Sequence, residues 1–163
     1  YSKEGRAGYI KKTKPINPLT PLISKLLFNL LFSVPSITIS VLIFAKFSHM
    51  ELLVALFLAL SILLIQYGHI FYSATLDIMN PQNEQYATVG EEISNPNENK
   101  STIVGFIISF AIAFISFALF NESNLETGAF VLSAVKILLI STALFGFSLM
   151  MFLLKIKAYY YER

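Results

Sequence analysis

Four long stretches of this chain carry almost no charge, and they constrain its fold more than any other feature. Residues 26–45, 52–76 and 101–121 contain no Asp, Glu, Lys or Arg, and residues 127–154 contain only Lys136. A helix needs about 20 mainly apolar residues to cross the hydrocarbon layer of a bilayer. Each stretch is therefore predicted to cross a membrane once.

Backbone hydrogen bonding favours helices over strands in these stretches. In lipid every backbone N–H and C=O must be paired within the protein, so only helices and closed barrels cross. Transmembrane strands alternate polar and apolar residues, whereas residues 52–65 hold a single polar residue, Ser61. We predict an all-α membrane protein with four transmembrane helices, at about residues 22–46, 52–73, 102–121 and 128–154, and a short N-terminal amphipathic cytoplasmic helix.

Composition excludes several classes of protein. Hydrophobic residues make up 55% of the chain and charged residues 13%, against roughly 45–50% and 25% in soluble domains. With no cysteine and a net charge of +2, neither thiolate metal sites nor nucleic-acid binding is indicated. A phosphate-binding loop, a zinc-protease helix and a Gly-x-Ser-x-Gly elbow are all missing from the sequence. We therefore expect no catalytic or metal site in this chain, and the bilayer as its surroundings.

The distribution of basic residues predicts the topology. Ten of the twelve Lys and Arg residues lie on one side of the predicted membrane: Lys3, Arg6, Lys11, Lys12, Lys14, Lys25, Lys100, Lys155, Lys157 and Arg163. Basic residues concentrate on the cytoplasmic side of membrane proteins. We therefore predict a multi-pass protein of the cell membrane with both ends, the loop 74–101 and the tail 158–163 in the cytoplasm. Because the chain begins with Tyr1, we expect it to be the later part of a longer protein.

The opening segment, residues 1–18, is predicted to lie on the cytoplasmic surface. If residues 1–12 are helical, Tyr1, Gly5 and Tyr9 fall within one arc of that helix. Pro15 and Pro18 disfavour helix in the residues that precede them, so a new helix is expected to begin near residues 19–23. The amphipathic helix is either an interfacial anchor or a functional element joined to the first span.

Polar or small side chains recur at helical spacing within the predicted spans. They are Asn29, Ser33, Ser36 and Ser40 in the first, Gln66, His69, Ser73 and Asp77 in the second, and Gly105, Ser109, Ala113 and Ser116 in the third. Such stripes usually pack helices together, and they also line polar paths through a membrane. We favour packing and name Asn29, Ser33, Gln66 and His69 as candidates for a substrate path.

Two side chains have further interpretations that the sequence leaves open. His69 is either part of a proton relay, because imidazole both accepts and donates protons, or part of a hydrogen-bonding ladder near the interface. Lys136 lies about eight residues, or ~12 Å, from the outer end of the fourth span. Its side chain either extends to the membrane surface or binds an anionic substrate group in the path.

Two short patterns combine prolines with charged residues near the predicted cytoplasmic ends of the first two spans. The first joins Glu4-Gly5, the aromatic Tyr9, the stretch Pro15-Ile16-Asn17-Pro18 and Lys25 at the mouth of the first span. The second is Asp77-Ile78-Met79-Asn80-Pro81 followed by Glu84. Together the two patterns resemble those of bacterial type-2 ABC exporter permeases. Lys14 and Asn17 stand where the family pattern has Leu and Ser, and the resemblance covers residues 1–100.

The resemblance implies a permease subunit without ATPase activity. Such a subunit pairs with a separate ATP-binding cassette subunit, which holds ATP and Mg²⁺, and with a second permease copy or a paralogue. It implies an ATPase-coupling contact made by Glu4, Gly5, Tyr9, Pro15, Pro18, Asp77, Pro81 and Glu84. The alternative is a non-transporting four-helix membrane protein with an assembly or regulatory role.

Overall fold

A computed structural model describes residues 19–82, 95–122 and 127–161 of the chain. Within these ranges all regular structure is helical: α1 (Leu19–Phe47), α2 (Leu52–Met79), α3 (Pro96–Glu122) and α4 (Thr127–Tyr161). Each helix is long and apolar enough to cross a membrane. The prediction of an all-α membrane protein is confirmed, while the amphipathic helix predicted within residues 1–18 lies outside the described residues.

The helices extend beyond the apolar stretches, most clearly on the side of the 83–94 segment. α2 continues to Met79, and α3 begins at Pro96, well before the apolar stretch that starts at residue 101. The side chain of Asn95 stabilises this start, because its Oδ1 accepts a hydrogen bond of 2.9 Å from the Asn97 N–H. Pro96 occupies the first helical position, where no N–H is needed. The apolar pattern therefore marks membrane depth, whereas capping residues determine where α3 begins.

α1 turns into α2 through a compact helix end. The Met50 N–H donates a hydrogen bond of 2.9 Å to the carbonyl of Ala45, five positions earlier in the chain. His49, between them, has a positive φ of 53°. This combination is the Schellman pattern, in which the residue just past a helix adopts the left-handed conformation. α2 consequently begins at Leu52 and returns alongside α1.

α2 and α4 form the most extensive interface of the described structure. A Cβ placed on Gly68 would lie 3.2 Å from Phe145 Cα, so the absence of a side chain lets the two backbones approach closely. The Phe71 ring packs against the rings of Phe145 and Phe152, with centroids 5.9 and 5.3 Å away. These contacts advance in the same direction along both helices, so α2 and α4 are parallel.

α3 lies against α2 near its start and against α4 near its end. The hydrogen bonds that fix this path join Asp77 to Asn97, His69 to Ser101, and Ser133 to Leu119. Residue numbers rise along one helix as they fall along its partner, so α3 is antiparallel to both α2 and α4. Because α3 moves from one neighbour to the other, it leaves a groove open beside α2.

Large apolar side chains cover the outer surfaces of α1 and α3. Phe28 is 69% exposed and Phe114 is 74% exposed. On the surface of a soluble protein such patches would mark interaction sites, but lipid tails are as apolar as these side chains. The Phe stripe of α3 (Phe106, Phe110, Phe114 and Phe117) therefore faces the lipid in a protein with this fold.

Candidate functional site

Polar side chains join α1 to α2 halfway along the bundle. Asn29 Oδ1 accepts hydrogen bonds from Ser33 Oγ at 2.8 Å and from Tyr67 OH at 3.3 Å. Ser33 Oγ in turn accepts a hydrogen bond of 2.9 Å from Gln66 Nε2. Three candidates for the substrate path, Asn29, Ser33 and Gln66, thus contact one another. In the structure their hydrogen bonds hold α1 against α2.

Removing one donor from this polar network is expected to weaken the α1–α2 contact. Gln66→Leu should cost about 1 kcal/mol of unfolding free energy, the usual scale for a hydrogen bond between membrane helices. A double-mutant cycle with Ser33→Ala, measured by SDS unfolding in mixed micelles, should give a coupling of about 0.5–1 kcal/mol. Ser40→Ala serves as control, because within the described residues the Ser40 hydroxyl bonds only the Ser36 carbonyl of its own helix. Additive effects of Gln66→Leu and Ser33→Ala would contradict the network.

His69 connects α2 to α3. Its Nε2 lies 2.9 Å from the Ser101 carbonyl oxygen and 3.2 Å from Ser101 Oγ. A proton on Nε2 suits this site, because the carbonyl can only accept. His69 lies ten residues before the end of α2, about 15 Å along the helix. It is therefore far from the last turn of α2.

Gly105 makes room for the imidazole. It lies one turn after Ser101, and a Cβ placed on it would come 2.8 Å from His69 Nε2 and 3.2 Å from His69 Cε1. Such a distance is too short for a non-bonded contact with a ring that is already hydrogen-bonded. The sequence predicts that Gly105 belongs to a stripe of small residues, but it does not indicate that the His69 imidazole fills the space beside it.

A second polar contact closes the end of the bundle next to the 83–94 segment. Asn97 Nδ2 donates to Asp77 Oδ1 at 3.1 Å and to the Asn80 carbonyl at 2.7 Å. Asn97 is only 4% exposed, so the donor of both bonds is buried, whereas the acceptor residue Asn80 is exposed. We call this pair, Asp77 and Asn97, the loop-end latch, because it ties the last turn of α2 to the first turn of α3. Pro81 follows nearby and is exposed.

Two cavities meet at His69. The larger, about 600 Å³, lies between α2 and α3, and we call it the α2–α3 groove. Its lining residues are Ile62, Ile65, Gln66, His69, Thr102, Gly105, Phe106, Ile108, Ser109, Ile112 and Ala113. The smaller, about 280 Å³, lies among α2, α3 and α4. Ile65, His69 and Ile108 line both cavities, so the imidazole forms part of the wall between them.

The structure does not bring Lys136 to this site. Its side chain is exposed on α4 and lines neither the groove nor the smaller cavity. Phe145, which contacts Gly68 beside His69, lies nine residues further along, about 14 Å at the usual helical rise. Of the five residues named for a path, only Gln66 and His69 line the groove.

The predicted ATPase-coupling residues are divided between described and undescribed parts of the chain. Asp77 and Pro81 lie at the loop end of α2, next to the latch. The other members, Glu4, Gly5, Tyr9, Pro15, Pro18 and Glu84, lie outside the described residues.

Several contacts at the site were not anticipated from the sequence. Tyr67, Asn97 and Ser101 all take part in hydrogen bonds between helices or helix ends. Asn97 follows Asn95-Pro96, a pair of residues that predicts where a helix begins. That pair does not predict which residue the Asn97 side chain bonds. Ser101 accepts through its backbone carbonyl, a group that every residue carries and no sequence pattern reveals.

The chemistry available here is hydrogen bonding. Among the described residues, no three His, Asp or Glu side chains come together as a metal site would require. No Asp, Glu, Lys or Arg occurs among the described residues that line the groove. The groove therefore presents neutral hydrogen-bond donors and acceptors on an apolar wall, an arrangement suited to binding a small molecule.

Comparisons with protein-family models, with curated proteins and with solved structures gave no significant match. The function of this multi-pass membrane protein therefore has to be argued from its own residues and their geometry.

Proposed function

We propose that this chain is the permease part of an ABC-type exporter, driven by ATP hydrolysis on a separate subunit. The observation that carries the proposal is the α2–α3 groove, which offers polar groups within the apolar length of two membrane-spanning helices. Small-molecule sites are typically cavities of about 300–1,000 Å³ with a few polar groups on an apolar wall. The resemblance carried by residues 1–100 supports the same conclusion. The chain itself has no ATPase activity in this proposal.

The proposed protein lies in the bacterial cell membrane with both ends in the cytoplasm. The excess of Lys and Arg on that side supports this orientation. The loop-end latch, the 83–94 segment and the end of α4 then face the cytosol. A cysteine introduced by Gly90→Cys should be labelled by a membrane-impermeant reagent only in opened cells, because this proposal places residue 90 in the cytosol. The sequence has no other cysteine that would be labelled.

The latch offers a route from an ATPase to the groove. It ties the end of α2 to the start of α3, and these two helices form the walls of the groove. A displacement of the latch by the ATPase would therefore move α2 and α3, the two walls of the groove, together. Such joint movement is what a rigid-body transition requires. In this proposal Glu4, Gly5, Tyr9, Pro15, Pro18, Asp77, Pro81 and Glu84 form the contact with the ATP-binding cassette subunit. That subunit holds ATP and Mg²⁺, and a second permease copy or paralogue completes the transporter.

The decisive experiment is co-expression of the full-length chain with an ATP-binding cassette subunit encoded in the same genome, each candidate being tested in turn. We expect the two to co-purify and to hydrolyse ATP, and we expect Glu4→Arg or Gly5→Trp to abolish both. Lys46→Ala is the control, because Lys46 lies at the opposite end of α1 and should leave the complex intact. Unchanged co-purification of the Glu4 and Gly5 variants, or no nucleotide hydrolysis by any complex, would overturn the proposal.

The alternative is a non-transporting assembly or regulatory subunit. The polar network of Asn29, Ser33, Gln66 and Tyr67 favours it, because these side chains are used in contacts between helices. This alternative predicts a stable membrane protein that binds no ATPase. Co-purification with the ATP-binding subunit therefore separates the two functions.

A further inference from the structure

We propose that the α2–α3 groove binds an uncharged amphipathic molecule taken from the bilayer, with its polar head between Gln66, His69, Thr102 and Ser109. Describing this molecule as the substrate rests on the proposed function. Binding itself needs neither a partner subunit nor ATP.

Unused hydrogen-bonding groups line the groove. Among the described residues, Gln66 Oε1 and His69 Nδ1 have no hydrogen-bond partner, since their side chains bond only through Nε2. An unpaired polar group in hydrocarbon costs several kcal/mol. Both groups are acceptors, because an amide oxygen only accepts and the imidazole proton lies on Nε2. A ligand head group with two donors would remove this cost at both positions.

The hydroxyl groups of the opposite wall are unused as well. Several hydroxyls of the described helices bond the carbonyl one turn earlier in their own helix: Ser40, Ser61, Thr75, Ser141 and Thr142. Other hydroxyls, such as those of Ser36 and Ser116, make no hydrogen bond with the described part of the chain. Thr102 and Ser109 make no such bond with the described part of the chain. Both are exposed and line the groove. Two helices thus present free polar groups to the same space.

The charge of the lining fixes the class of the head group. Among the described residues, no Asp, Glu, Lys or Arg side chain lines the groove, so no carboxylate, ammonium or guanidinium group there would pair with a formal charge. An unpaired charge within a membrane is costly. The occupant is therefore neutral, with hydroxyl or amide groups in its head.

The remaining wall suits a hydrocarbon chain. Ile62, Ile65, Ile108 and Ile112 line the groove, and Phe106 forms its rim with 63% of its surface exposed. In a membrane this rim meets lipid. A molecule with one hydrocarbon chain can therefore enter sideways from the bilayer and leave its chain along the isoleucines. A monoacylglycerol has this combination of neutral hydroxyl head and single chain.

Photo-crosslinking of the purified full-length chain in nanodiscs tests the inference. The probe is a monoacylglycerol with a diazirine near its head group, and its adducts are mapped by mass spectrometry. We expect adducts on α2 and α3 at residues that line the groove. Thr102→Val combined with Ser109→Ala should lower this labelling about tenfold, because two hydrogen bonds to the ligand are lost. Ser116→Ala, on α3 outside the groove lining, should not change it.

Two comparisons make the result decisive. A hydrocarbon probe without a head group should label the groove much less than the monoacylglycerol; equal labelling would overturn the inference and leave a crevice filled by lipid tails. Labelling that is unchanged in the Thr102 and Ser109 double variant would also overturn it. Ala113→Phe, which fills the groove without removing a polar group, should abolish labelling. Because no ATPase is present, failure here leaves the proposed ATPase partnership untouched, and loss of that partnership leaves this binding intact.

Discussion

Gly68→Leu is expected to separate α2 from α4, whereas Gly146→Leu is expected to leave the bundle intact. A Cβ on Gly68 would lie 3.2 Å from Phe145 Cα and 3.5 Å from the Phe145 nitrogen, both backbone atoms that no rotamer change can move. A Cβ on Gly146 meets nothing within 4 Å. Overpacking a fixed interface costs about 1–3 kcal/mol and sometimes more. We expect Gly68→Leu to lie at or above the top of that range.

The alanine variants test the sign of the effect. Ala exceeds Gly in helix propensity by about 0.8–1 kcal/mol, so Gly146→Ala should be neutral or slightly stabilising. Gly68→Ala should instead destabilise the protein, by about 1–2 kcal/mol relative to Gly146→Ala. SDS unfolding in mixed micelles, followed by near-ultraviolet circular dichroism of the tyrosines, measures all four variants. Equal unfolding of the Gly68 and Gly146 variants would mean that α2 and α4 do not approach as closely as described.

The four helices were predictable because one physical requirement dominates their sequence. Hydrocarbon excludes charge and unpaired backbone groups, so charge-free stretches reveal where helices cross. Their ends follow a different rule. Asn95 caps α3 through its side chain and Asn80 ends α2, and such capping needs only polar residues near the surface. Hydropathy consequently stops short of the helical ends on the side of the 83–94 segment.

The pairing of helices was less predictable than their existence. The spacing of Asn29 and Ser33 predicts that they share one face of the first span, but it does not say whether that face meets lipid, Gln66 or another helix. The parallel contact of α2 with α4 joins helices that are not consecutive in the chain. The two backbones approach closely because Gly68 has no side chain, and the rings of Phe71 and Phe152 pack across the same interface. The helical spacing of polar and small residues identifies one face of a helix, but it does not identify the helix that packs against that face.

The central position of α2 explains why the candidate site lies along it. α2 contacts α1 through Gln66, α3 through His69 and Asp77, and α4 through Gly68. Polar and small residues fall on the faces of α2 that meet other helices. A groove can persist beside α2 only because α3 departs toward α4, where Ser133 Oγ donates to the Leu119 carbonyl. The shape of the site is thus a consequence of the helix path rather than of any local motif.

Phe152→Ala is expected to be the most destabilising truncation in α4. Phe152 has no exposed surface, and its ring contacts the Phe71 ring and belongs to a cluster with Ile78 and Ile156. Lipid is as apolar as this cluster, so the cost comes from lost packing and from the cavity left behind. Phe→Ala truncations in protein cores cost about 3–5 kcal/mol. With the transfer from water absent, we expect about 2–4 kcal/mol here.

Phe114→Ala provides the matched control for this truncation. Phe114 is 74% exposed on α3 and would exchange its lipid contacts for others, so its loss should change the unfolding free energy by less than about 0.5 kcal/mol. Phe152→Leu should recover part of the stability lost in Phe152→Ala, because it fills part of the cavity. SDS unfolding in mixed micelles again measures the series. If Phe114→Ala and Phe152→Ala cost the same, Phe152 faces lipid and the aromatic cluster does not hold α2 against α4.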